Sequence, residues 1–274
     1  FIESLKYCKG LFVLSEYLRI EVQKIIDALN IEIIVEKLYH PTEFVHEKNC
    51  FTISKFLENK NRKIIQIGAW YRDINHIFKL NMGDNILGLE KCALVGANMD
   101  GYYNITESNE QISRDKNVRC KINNWGNVKI INQLKNFEYD IILSENIVTI
   151  FLIDCSAANT IIECIVRNTP LLINPLPAVI EYLGKDYPFY YSNLDEAKRK
   201  INDIKVIKKT NLYLKSLDKY KLRIETFIDD LKKSPDFVFI RFIMSFFKSF
   251  MSEYLAFHKE RASLNSNPSL LETV

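Results

Sequence analysis

The segment from Phe151 to Gly184, FLIDCSAANTIIECIVRNTPLLINPLPAVIEYLG, constrains the fold more than any other stretch of the chain. An apolar run, Ile147 to Ile153, feeds a turn of small and polar residues. That turn opens a helix whose apolar positions are Ala158, Ile161, Ile162, Ile165 and Val166. They recur at three- and four-residue steps, which makes one buried stripe on an amphipathic helix. Ser156, Asn159, Thr160, Glu163 and Arg167 are expected on the opposite face. Ser156 is expected to cap the helix, its hydroxyl accepting from an N–H of the first turn. Asn168 is expected to stop it in a left-handed conformation, and Pro170 bars continuation. Leu171 to Ile173 then reads as a strand. Strand, helix and strand joined by short connections predict a parallel βαβ unit.

A helix that starts just beyond a parallel strand offers backbone N–H groups to phosphate, and a nearby carboxylate suits sugar hydroxyls. Glu163 follows Asn159 and Thr160 by four and three positions, so it shares their face. It stands about 5–6 Å further along the axis. A first turn on a pyrophosphate and a second on a ribose would match that offset. The competing reading leaves Glu163 as a solvated residue of a surface helix. Asn174 to Gly184 puts Pro175 and Pro177 in a loop at the carboxyl end of the next strand, the edge where open α/β sheets bind ligands. There Glu181 is either a second polar contact or solvated.

The segment resembles the donor-binding motif of GT-B glycosyltransferases, which have two facing Rossmann-like domains. NTIIECIVRNTPLLIN fills the family's frame of helix, x-Pro and strand, with Glu163 matching the glutamate that binds the ribose hydroxyls. Asn168 stands where the family often has Gly, and it tolerates the same left-handed conformation. KIIQIGAWYRDINHIFKL, Lys63 to Leu80, resembles the first strand of the nucleotide domain, its Gly turn at Gly68 and the following helix, with Arg72 matching a phosphate-binding basic residue. Leu11 to Ile26 resembles the last strand and helix of the acceptor domain, and Ile31 to Phe44 the strand and linker that follow.

The resemblance implies an α/β fold, a Rossmann-like parallel sheet of the GT-B type with extra C-terminal helices. It implies three regions: 1–60 as the end of an acceptor domain and linker, 61–210 as the donor domain, and 211–274 as C-terminal helices and tail. It implies transfer of a sugar from a nucleotide-diphosphate donor to an acceptor. The donor-binding set is Gly68, Arg72, Ser156, Ala157, Asn159, Thr160 and Glu163. The nucleotide-sugar is then a substrate, with no cofactor and no metal, and residues 98–103 are expected near the base. The chain departs from the family where many retaining members have a Glu eight residues before the second; here that position is Cys155, beside Asp154. Phe1 stands where most of an acceptor domain is expected to precede it. An epimerase of the same fold, or a non-catalytic nucleotide-binding domain, are the alternatives.

Composition limits the rivals. A net charge of +3 is too small to argue for nucleic acid, and no Lys/Arg block accompanies it. The six cysteines form no C-x-x-C pair, which points to reduced thiols and a cytoplasmic setting. There is no G-x-G-x-x-G, which argues against a dinucleotide-dependent oxidoreductase. Further strands are expected at Ile64–Ile67, Ala93–Val95 and Val128–Ile131, with a sixth short one at Tyr187–Tyr191. A helix is expected near Asp73, others from Leu194 and over Lys215–Lys232, and a long loop over 99–119. The aromatic-rich 237–257 stretch is bilayer-length, but Arg241, Lys248 and Glu253 interrupt it. It is expected to pack back on the acceptor domain, to lie at a membrane surface, or to be a core helix.

Overall fold

The computed structural model describes residues 2–5, 7–68, 71–94, 127–131 and 134–234. Two parallel sheets organise them. The smaller pairs β1 (Gly10–Val13) with β2 (Ile34–Lys37), linked by helix α2 (Glu16–Ala28) after a short α1 (Ile2–Leu5). Leu5, Val13, Ile26, Ile33 and Val35 form its core.

The larger sheet has five strands: β3 (Lys63–Ile67), β4 (Glu90–Leu94), β5 (Val128–Ile131), β6 (Ile147–Ile150) and β7 (Leu171–Ile173). All its ladders are parallel, and their spatial order is β5-β4-β3-β6-β7. This is a Rossmann-like arrangement in which the chain steps one way from β3 and the other way from β6. The central strands are apolar at nearly every position because helices cover both faces. Ile64, Ile65, Ile147, Val148, Leu171 and Leu172 are fully buried. Helices α3 (Ile53–Glu58), α4 (His76–Lys79), α5 (Asn136–Glu145), α6 (Asn159–Arg167), α7 (Pro177–Leu183), α8 (Leu194–Ile201), α9 (Ile204–Ser216) and α10 (Ile224–Lys233) complete the described fold.

Several sequence expectations hold to the residue. β5 and β7 have the predicted bounds, and Asn168 ends α6 at φ 58°. Others need correction. The expected helix over Lys215–Lys232 is two helices. α9 stops at Ser216, a 3-10 turn covers Tyr220–Leu222, and α10 starts at Ile224. Leu222 is buried in the large core, and this turn is what delivers it there. Tyr187–Tyr191 makes a single bridge, Tyr190 to Ile173, in place of a strand. Tyr187 meanwhile exchanges two 2.9 Å hydrogen bonds between its hydroxyl and the Leu171 backbone, so a side chain does part of a strand's work. The polar stretch before β3 contributes Phe51 and Phe56, both fully buried, to the main core.

Glu181 is largely buried rather than solvated. Its carboxylate accepts from the backbone N–H of Glu16 at 2.8 Å and of Tyr17 at 3.2 Å. It therefore caps α2 from across the junction between the two sheets, beside Ser15, whose hydroxyl accepts from Leu18 N–H. Tyr182 adds a 2.7 Å bond from its hydroxyl to the Leu14 carbonyl. No helix among the described residues is long and apolar enough to cross a membrane. Residues 98–103, 99–119 and 237–257, and the readings placed on them, lie outside the described residues.

Candidate functional site

The carboxyl ends of β3 and β6 adjoin where the strand order reverses, the place at which open α/β sheets bind their ligands. Gly68 ends β3 at φ +74°, a conformation that side chains rarely adopt. A Cβ added there would lie 1.6 Å from Arg72 Nη1, so glycine is what makes room for the guanidinium. The backbone after this turn runs antiparallel to the segment after β6. Asp73 N–H donates to the Phe151 carbonyl at 2.9 Å, Ile153 N–H donates to the Tyr71 carbonyl at 2.9 Å, and Arg72 bridges Leu152. Tyr71 takes a left-handed φ of 52° to make the turn.

Buried polar side chains hold the floor. Gln66 donates to the Ile74 carbonyl and accepts from Ile77 N–H, both at 2.9 Å. Asn174 pairs with both backbone groups of Leu152, at 2.8 and 2.9 Å, and so continues the ladder beyond β7. These amides satisfy backbone groups that would otherwise be orphaned where the strands end.

Arg72 reaches from the loop after β3 to the start of α6. Its Nη1 donates to the Ile67 carbonyl at 2.7 Å and its Nη2 to the Thr160 hydroxyl at 3.1 Å. Gly68, Arg72 and Thr160, separated widely in the chain, thus form one contact at the start of α6. The helix itself differs from expectation at its cap. α6 begins at Asn159, with Ala158 in the N-cap position and no side-chain cap hydrogen bond, so Ser156 is not the cap. Ser156 and Ala157 are half-buried in the preceding turn, and Asn159 is exposed. The Ser156 hydroxyl lies too far upstream for the helix that forms. An N-terminus without a side-chain cap keeps its positive end available to an anion.

The expected polar face of α6 is only partly polar in its surroundings. Thr160 and Arg167 are buried. Arg167 donates to Asp140 Oδ1 on α5, through Nε at 3.2 Å and Nη2 at 2.8 Å, and Asn49 donates to Asp140 Oδ2 at 2.9 Å. Glu163, half-buried one turn beyond Asn159 and Thr160, accepts from the Tyr139 hydroxyl at 2.5 Å. Burial raises the Glu163 pKa above the usual carboxylate range, against the pull of Tyr139, Arg167 and Arg72. Nothing in the sequence pairs Tyr139 with Glu163; only the packing of α5 on α6 does so.

At Cys155, where the resemblance puts a glutamate, burial pushes the thiol up to about 11, so it is a neutral group at physiological pH. It gives the turn no carboxylate-like charge. Among the described residues no group of three or more His, Cys, Asp or Glu could hold a metal ion.

No protein-family profile matches the chain, and no curated protein matches it. Solved structures do. The fold is similar to that of WaaG, a glycosyltransferase involved in lipopolysaccharide biosynthesis, with TM-score 0.51 at 12% identity over 82% of this chain and 63% of that one. It is similar to trehalose-6-phosphate synthase, an enzyme studied for glycosyl transfer with retention, with TM-score 0.55 at 12% identity over 85% of this chain and 62% of that one. The chain spans less than two thirds of either structure's length. At this identity the likeness is one of architecture, and that architecture is the GT-B glycosyltransferase fold.

Proposed function

We propose that the chain is the donor-binding part of a glycosyltransferase, and that the carboxyl edge of β3 and β6 takes the diphosphate of a nucleotide-sugar. The observation that carries this reading is the contact of Gly68, Arg72 and Thr160 beside an N-terminus of α6 that has no side-chain cap. A fixed guanidinium and a helix N-terminus are two sources of positive potential aimed at one place, the need of a diphosphate. When the sugar leaves, the charge grows on the diphosphate, and both sources offset it without reorganisation. Ser156, Ala157 and Asn159 line the approach to the helix start, and Glu163 takes the ribose hydroxyls a turn further on. Sugar transfer to an acceptor belongs to the same proposal, because the fold is shared with glycosyltransferases. The donor is a substrate of the reaction, and the residues assigned here bind it without a cofactor or metal.

Calorimetric titration with UDP and GDP tests the reading. One of the two is expected to bind. In Arg72→Ala its affinity falls about 10–100-fold, the equivalent of losing a charge-assisted hydrogen bond. Absence of binding by either nucleotide would overturn the donor site, and full affinity in the variant would remove Arg72 from it.

A further inference from the structure

The ribose role of Glu163 depends on where its carboxyl is held, and a second helix holds it. Tyr139 on α5 donates to Glu163 Oε2 at 2.5 Å. Among the described residues this is the hydrogen bond the carboxyl makes, and Oε1 is left for another donor. The two helices are locked in register close by. Asp140 adjoins Tyr139, Arg167 lies one turn beyond Glu163, and the two form a 2.8 Å ion pair. The phenol is therefore delivered by helix packing, and a bond of this kind orients a carboxylate in advance of its ligand.

We infer that Tyr139 is a positioning residue for the donor, holding Oε2 of Glu163 so that Oε1 accepts the ribose hydroxyls. The inference rests on the donor-site reading above. The groups that face Glu163 are Tyr139 from α5, Arg167 and Cys164 from its own helix, Arg72 from the loop after β3, and Glu43 from the linker. Burial raises the carboxyl's pKa, Tyr139, Arg167 and Arg72 lower it, and Glu43 raises it. Burial, then the Glu163 charge, holds the Tyr139 phenol far above its ordinary range, so it stays a donor throughout. Removing that donor moves the Glu163 pKa further up. Because ribose hydroxyls donate, the ionised carboxylate is the stronger acceptor.

The test is nucleotide affinity against pH in the parent, Tyr139→Phe, Glu163→Gln and the double variant, by calorimetry with UDP and GDP. The parent loses affinity on acidification as Glu163 takes up a proton. In Tyr139→Phe the fall starts at higher pH, so that within the range over which Glu163 titrates affinity is about tenfold below the parent, a difference of about 1.4 kcal/mol, and on the alkaline side of that range within about twofold of it. Glu163→Gln gives a flat profile, and adding Tyr139→Phe changes it no further. A Tyr139→Phe profile parallel to the parent's, with Glu163→Gln weakened, overturns the role of Tyr139 and leaves the donor site standing. Further loss in the double variant shows a packing role and overturns it too. Lack of binding by the parent is the failure of the donor site itself. The carboxyl ¹³C titration of Glu163 in ligand-free protein gives an independent reading: its midpoint rises in Tyr139→Phe, and an unchanged midpoint overturns the inference. Should Tyr139→Phe not fold, 3-fluorotyrosine at position 139, a stronger donor of the same shape, moves the midpoint down if the inference holds, and leaves it in place if it does not.

Discussion

Asp140→Ala is expected to cost about 3–5 kcal/mol of folding stability, because it strands a buried guanidinium. Arg167 is buried between α5 and α6, and its charge cannot be shed, since guanidinium stays protonated in proteins. Burial works against that charge, and the bond from Asp140 more than restores it, so the Arg167 pKa ends above its ordinary value. The variant also takes from Asn49 its acceptor, Asp140 Oδ2. Urea unfolding of the parent, Asp140→Ala and a double variant Asp140→Leu/Arg167→Met measures the effect. The double variant is expected to be much closer to the parent, because it removes both charges and keeps the volume. A single variant as stable as the parent would mean that water reaches Arg167.

The second large effect is a loss of stability in mild acid through His76. This residue sits on α4, directly behind the loop that carries Arg72. It is buried, with Nε2 3.0 Å from both the Thr149 and Tyr191 hydroxyls, and its ring stacks on Phe151 and Tyr191. Burial lowers its pKa from 6.5 to about 4, with Asp73 opposing and Lys79 and Lys91 adding to the shift. The sign follows from linkage. The unfolded chain takes up this proton near the ordinary histidine value and the folded chain does not, so His76 favours folding fully above that value. The contribution is lost as pH falls from about 6.5 toward 4. Between pH 7.5 and 4.5 the loss is about 2–3 kcal/mol. Carboxylates also titrate in part of this window, so the comparison is His76→Leu, in which the slope between those pH values should be correspondingly shallower. Equal slopes would show that the folded protein protonates His76 at little cost.

How far the sequence reveals the site depends on which residues act locally. β5, β7 and the left-handed Asn168 are set by short-range pattern and backbone sterics, and all three were legible at residue level. The turn at Gly68 is set by its own backbone, at φ +74°, whereas Arg72 was singled out by the resemblance, and the packing of its guanidinium against Gly68 emerges only in the fold. The misreadings have the opposite character. Ser156 looked like a cap, but the turn pinned by Arg72 and Leu152 starts the helix later. Arg167 was placed on the polar face of the helix, but it is buried there against Asp140, a partner that comes from another helix. Tyr139 and Glu163 are far apart in the chain, and no periodicity links them. Glu181 went unassigned because the N–H groups it caps belong to α2, at the other end of the chain. Residues whose partner lies on a different element carry no local signal.

The strand order also has a consequence for how the chain comes together. The central ladder joins Ile64 of β3 to Ile147 of β6, and β4 and β5 are both made before β6 exists. Among the described residues no hairpin can nucleate this sheet, since each of its ladders there is parallel and needs a crossover. Contacts of such sequence separation put the closure of long loops ahead of their reward, which slows folding. At synthesis rates of about 5–20 residues per second, β3 waits several seconds for its central neighbour. For that interval one flank of an Ile-rich strand is an open edge, and the nascent chain depends on what shields it.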